Sequence, residues 1–101
     1  MTEGKQESEQ AVSTVNREPP RFRVLLHNDH FTTMDFVVEV LETVFHKRPH
    51  EAMTIMQHVH ERGIGVCGIY SREVAEARVA LVTRLAHENE FPLLCTMERE
   101  D

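Results

Sequence analysis

The chain contains no tryptophan and a single tyrosine. Without aromatic platforms it is poorly equipped to stack on nucleic-acid bases. Basic residues are also outnumbered. Eleven Lys and Arg face seventeen Asp and Glu, for a formal net charge of −6. A phosphate backbone is repelled overall, so no nucleic-acid partner is expected, whereas a cationic ligand is tolerated. No apolar run approaches the ~20 residues of a membrane span. The polar start, Met1-Thr2-Glu3-Gly4-Lys5-Gln6-Glu7, lacks both a signal-peptide core and the arginine-rich pattern of a transit peptide. A cytoplasmic protein without membrane contact is expected, with a monomer as its state.

Cysteine is scarce too. Cys67 and Cys95 lie far apart in apolar surroundings. They read as buried thiols acting as small hydrophobes, and a disulfide is not expected in a reducing compartment. Nucleophile motifs are missing: there is no Gly-x-Ser-x-Gly, P-loop or dinucleotide fingerprint. A Cys-His-Asp set assembled from Cys67 or Cys95, His60 and Asp29 has no supporting spacing, so no enzyme is expected. Seven histidines invite a metal, but His58 and His60 point to opposite sides of a helix and His46 and His50 straddle Pro49. With no His-Glu-x-x-His or Cys-x-x-Cys, neither metal nor cofactor is expected.

What is present is enough for one domain of 101 residues with a modest core. Residues 1–20, rich in Glu, Gln, Ser and Thr and closed by Pro19-Pro20, read as a flexible extension. The domain occupies residues 21–101. Phe22, Val24 and Leu26 alternate with Arg23 and His27 as a strand does, although Leu25 breaks the alternation. Thr32 or Thr33 can cap a helix whose inner face is Met34, Val37, Val38, Leu41, Val44 and Phe45, with Asp35 in its first turn. Pro49 opens a second helix, lined by Ala52, Met53, Met56, Val59 and His60 and stopped at Gly63. Ile64 to Tyr70 forms a strand in which Gly65 and Gly68 suggest a bulge or close backbone approach. Ser71 caps a third helix facing inward with Val74, Ala75, Val79, Val82, Leu85 and Ala86. Leu93 to Glu98 is the last strand. The order β-α-α-β-α-β predicts an α+β, two-layer domain whose three-stranded antiparallel sheet packs on helices.

The span from Leu25 to Val38 carries the functional signal. Asn28 and Asp29 end an apolar run, where a strand stops and leaves acceptors facing a cleft. Apolar helix positions follow at once. An amide and a carboxylate beside greasy side chains suit a small cation with an apolar neighbour, such as a peptide amino terminus bearing a large first side chain. An α-ammonium has three donors and needs three acceptors. Asn28 and Asp29 supply two, and His60 can supply the third if its ring is neutral. His60 can equally be a half-buried residue of the helix face and nothing else. Met34, Met53 and Met56 fit either core filling or an adaptable pocket. Glu73, Glu76 and Arg78 read as a charged strip on the third helix, either solvated surface or a docking face.

Several separated motifs resemble those of the ClpS family, the bacterial adaptors that deliver N-end-rule substrates to the ClpA unfoldase of the ClpAP protease. They are Pro19-Pro20, Val24, Leu26, Asn28-Asp29, Thr32, Met34, Phe36-Val37, Val59-His60, Gly63, Val66-Cys67-Gly68, Glu73-Val74-Ala75-Glu76 and Pro92 to Glu98, and they span residues 19–98. The resemblance implies that residues 21–101 form an N-degron-binding domain. It implies that Asn28, Asp29 and His60 hold the substrate α-amino group. Thr32, Met34, Val37, Met56, Val59 and Leu93 would line a side-chain pocket for Leu, Phe, Tyr or Trp, with Met34 as gatekeeper against β-branched residues. Glu73 and Arg78 would dock on the N-domain of a ClpA-type AAA+ unfoldase, and the N-terminal extension would take part in hand-over. A regulatory domain that binds the unfoldase without reading N-degrons is the alternative. Two positions depart from the family pattern. His30 stands where a second acid is usual, and Thr33 stands where Pro is usual.

Overall fold

The computed structural model of the chain describes residues 18–101; most of the expected N-terminal extension, residues 1–17, lies outside the described residues. The elements follow the expected order. They are β1 (Arg21–His27), α1 (Met34–Thr43), α2 (Pro49–Arg62), β2 (Ile64–Ser71), α3 (Arg72–Glu88) and β3 (Leu94–Glu100). The strands form an antiparallel sheet in the order β2-β1-β3. Helix α3 packs across all three strands, and α2 packs on β2 and α1. The two-layer α+β reading therefore holds.

β1 is central, and its alternation is intact. Phe22, Val24 and Leu26 point into the core beneath the helices. Leu25 points to the opposite face, where Val66 and Thr96 flank it in register and leave it buried. A β-bulge falls between Val24 and Leu25, with Cys67 as the extra residue on β2. Cys67 and Cys95 are free and buried. Burial pushes the Cys95 thiol up to about 12, and burial with the nearby Cys95 raises Cys67 further. Both are inert core residues, as expected from the sequence.

The helix boundaries have local causes. Thr33 caps α1, its hydroxyl accepting from Phe36 N at 3.1 Å. Ser71 caps α3, accepting from Val74 N at 3.3 Å. Gly63 ends α2 at φ +89°, a left-handed conformation that favours glycine. His46 and Glu90 also take positive φ just beyond α1 and α3.

Four inner-face assignments change. On α1 the buried arc is Phe36, Val37, Val40 and Leu41, and Met34 is 46 % exposed. Phe36 is drawn inward by Phe91, whose ring centroid lies 4.8 Å away. Met53 is 47 % exposed because the arc of α2 that meets the core runs through Ala52, Met56 and Val59. Val74 is exposed in the first turn of α3. His60, expected on the inner side of α2, is exposed at the mouth of the cavity described below. Strand β3 also begins one residue later than expected, so Leu93 lies in the approach to it, buried.

Candidate functional site

The residues that end β1 turn directly into the start of α1, and that turn forms one wall of a cavity. Its backbone is tied to the end of α2 by Asn28 N, which donates to Gly63 O at 2.9 Å. The turn itself is organised by one side chain. Asp29 Oδ1 accepts from Phe31 N at 2.8 Å and from Thr32 N at 2.7 Å, and Asp29 Oδ2 accepts from Thr32 Oγ1 at 2.7 Å. Such Asx-type closure fixes the path of residues 29–32 and hands the chain to the Thr33 cap.

Opposite this wall stands α2. Between them lies a cavity of about 320 Å³ lined by Asn28, Asp29, His30, Thr32, Met34, Val37, Met56, Val59 and His60. A small recess of about 10 Å³ shares Asn28, Asp29, Thr32, Val37 and Val59 with it and adds His27 and Leu93. All the ligand-site residues expected from the sequence thus line the cavity or its recess. Val37, Met56, Val59 and Leu93 are buried and make an apolar floor. Asn28, His30, Met34 and His60 are exposed at the rim. Val59 and His60 are consecutive, so α2 places an apolar side chain at the floor and an imidazole at the rim.

The depth of the floor depends on close packing of α2 against β2. A Cβ added to Gly65 would lie 2.6 Å from Val59 Cγ2 and 3.3 Å from Ile55 O. Only glycine permits this approach.

The electrostatics are asymmetric. Burial alone would raise the pKa of Asp29, but the amide and hydroxyl of Thr32, the amide of Phe31 and the nearby His30 together hold it below the usual carboxylate value. Asp29 is therefore a carboxylate at neutral pH, braced against the turn with limited acceptor capacity left over. The cavity thus combines hydrogen-bonding groups with a buried apolar floor. Among the described residues no cluster of three His, Cys, Asp or Glu side chains suits a metal ion.

The two expected docking residues are not neighbours. Glu73 is exposed near the start of α3 beside a shallow surface groove of about 390 Å³ with Pro19, Pro20, Ser71 and Arg72. Arg78 lies five positions later, about 140° around the helix. Its guanidinium sits 5.6 Å from the Tyr70 ring centroid, and its Nε is buried without a hydrogen-bond partner among the described residues. Glu73, Glu76 and Arg78 thus do not form one strip. His30 lines the cavity without having been among the expected site residues. Its signal in the sequence was its position immediately after Asn28-Asp29.

A family model described as the ATP-dependent Clp protease adaptor protein ClpS matches residues 17–96. The chain belongs to the ClpS family. It is 50 % identical over 102 residues to an ATP-dependent Clp protease adapter protein ClpS of Desulfotalea psychrophila, covering 99 % of this chain and all of the relative. The ClpS of Nitratidesulfovibrio vulgaris is 51 % identical over 98 residues, covering 97 % of this chain and 98 % of the relative. Among solved structures, the chain resembles Agrobacterium tumefaciens ClpS2 bound to L-phenylalaninamide. The TM-score is 0.80 at 34 % identity, over 82 % of this chain and 100 % of that one. ClpS membership makes the chain an adaptor of Clp protease, working between a substrate and a Clp AAA+ unfoldase. Among the described residues no helix is long and apolar enough to cross a membrane.

Proposed function

We propose that the domain of residues 21–101 binds the free amino terminus of proteins that begin with Leu, Phe, Tyr or Trp and delivers them to the ClpA unfoldase of ClpAP. The observation that carries this reading is the mixed lining of the cavity, which brings the exposed or half-buried hydrogen-bonding groups of Asn28, Asp29 and His60 together with the buried apolar side chains of Val37, Met56 and Val59. L-Phenylalaninamide, bound by the related ClpS2, has that same pairing of a free amine and a large apolar side chain.

In this reading Asn28, Asp29 and a neutral His60 accept from the α-ammonium, while Thr32, Met34, Val37, Met56, Val59 and Leu93 enclose the first side chain. Burying Leu or Phe contributes about 1.5–3 kcal/mol. Each hydrogen bond to the charged amine adds about 1.5–3 kcal/mol before ordering costs. The balance corresponds to roughly micromolar affinity or tighter. Acetylation removes the charge and two donors, and a charged first side chain is stranded over the apolar floor. The unfoldase contact is proposed at Glu73 and Arg78 on α3, with residues 1–20 taking part in hand-over. No bond is made or broken at the cavity, so selection is by binding alone.

The test is a fluorescence-anisotropy titration with Leu-, Phe-, Ile- and acetyl-Leu-initiated peptides. Leu and Phe peptides should bind, Ile weakly, and acetyl-Leu not at all. Equal binding of Leu and acetyl-Leu peptides would overturn the amine site. Absence of all peptide binding, with unfoldase binding intact, would favour a purely regulatory domain.

A further inference from the structure

Among the described residues that line the cavity, His30 is the one to which the proposed function gives no role. It is exposed, so it belongs to the rim and not to the floor. Its backbone is held in place, because Asp29 bonds to the amides of Phe31 and Thr32 just beyond it. The neighbouring carboxylate is already engaged by three donors, and its charge is partly spent on the turn.

The titratable groups around the cavity and its recess come from every wall. The turn supplies Asp29 and His30, α2 supplies His60, and the end of β1 supplies His27, which is bonded to Thr96 Oγ1 at 2.8 Å. Helix α1 contributes only Met34 and Val37. Among the described residues no Lys, Arg or Glu lines either space. Among these lining groups the charge is carried by Asp29 and by imidazoles, and imidazoles change charge between about pH 5 and 8.

On the proposed function, a bound first residue fills the cavity and the chain leaves through the mouth. We infer that His30 reads the charge of the residue that follows the bound N-terminal residue, favouring substrates with an acidic second residue over those with a basic one, increasingly so as pH falls. An imidazolium at the rim attracts a carboxylate and repels an ammonium, whereas a neutral ring does neither. The pair is exposed, so the effect has the size of a surface ion pair, about three- to fivefold for each sign, and weakens with salt.

The experiment uses the full chain and three peptides beginning Leu-Glu, Leu-Gln and Leu-Lys, titrated by anisotropy at about pH 8 and about pH 5.5. The readout is the ratio of Kd for the Lys peptide to Kd for the Glu peptide. Any loss of amine binding at His60 is common to all three peptides and cancels in that ratio. In the wild type the ratio should rise about fivefold or more on acidification and shrink in high salt. In His30→Gln the rise should be clearly smaller than in the wild type, and in His30→Asp the ratio should fall below one. A flat wild-type ratio, or one that moves equally in His30→Gln, overturns the role of His30. The Leu-Gln peptide and its acetylated form separate the two readings. If Leu-Gln binds only with a free amine and the ratio is flat, this inference alone fails. If Leu-Gln does not bind, or binds equally when acetylated, the proposed function fails and this inference with it.

Discussion

Thr32 donates to both oxygens of Asp29, its amide to Oδ1 and its hydroxyl to Oδ2, each at 2.7 Å. One threonine thus holds a carboxylate in place while also lining the cavity. Thr32→Val keeps the shape but leaves Oδ2 short of a donor. It should lower stability by about 1 kcal/mol and weaken binding of a Leu-initiated peptide several-fold. Thr32→Ser should restore most of both. Thermal denaturation and anisotropy on the three proteins check this, and a Val variant indistinguishable from wild type would show the hydroxyl bond to be dispensable.

Asp29→Ala removes the brace and, on the proposed function, an amine acceptor together, so affinity for a Leu- or Phe-initiated peptide should fall at least tenfold. The carboxyl is held below its ordinary value in the folded state. Its stabilising contribution is therefore complete above the unfolded value near pH 4 and is lost as pH falls below that. Acid titration of the melting temperature should show a steeper loss below about pH 4 in wild type than in Asp29→Asn.

His60 must accept to hold an ammonium, and an imidazolium cannot accept. Binding of a Leu-initiated peptide with an uncharged second residue should weaken as pH falls from about 8 to about 5, the range in which histidines take up a proton. His60→Ala should bind more weakly at pH 8 and show a flatter profile. Unchanged affinity across that range in the wild type would remove His60 from the amine site.

Met34 is half-exposed at the rim of the cavity that the buried Val37 and Val59 also line. Shortening it in Met34→Ala should widen the entrance and admit peptides beginning with Ile or Val, with little change for Leu. A domain that never reads first residues would not respond, and the Ile titration decides between the two.

Gly65→Ala sets a methyl against Val59 Cγ2 at 2.6 Å. Val59 is buried and on a helix, so α2 must shift to make room. The expected cost is about 1–3 kcal/mol of stability, with weaker peptide binding because Val59 also floors the cavity. A chemical-denaturation series checks the stability loss, and peptide titration checks the link to the site.

Where the sequence could be read directly, the reason is local. The Thr33 and Ser71 caps, the Pro49 start and the Gly63 stop each depend on a few adjacent atoms. The helix faces were less legible. Phe36 and Val40 were missed, and Met34, Met53 and Val74 were placed inside, because burial on a helix depends on what packs against it. Phe36 is inward since Phe91 returns from beyond α3, more than fifty positions later. Leu25 seemed to break a pattern that is intact, and it is covered only because Val66 and Thr96 pair beside it.

The amino-acid order alone determined the succession of elements, the inert character of both cysteines, and the concentration of acceptors at Asn28 and Asp29. These follow from periodicity, caps and composition, which act over a few residues. Tertiary structure decided the rest. It brought His60 from α2 against the β1–α1 turn, set Leu93 beside Val37 and Val59, and turned Arg78 onto Tyr70 and away from Glu73. It also committed the Asp29 carboxylate to Thr32 and Phe31 and put His30 on the rim. Those arrangements depend on backbone path and on contacts between distant segments, and spacing along the chain does not encode them.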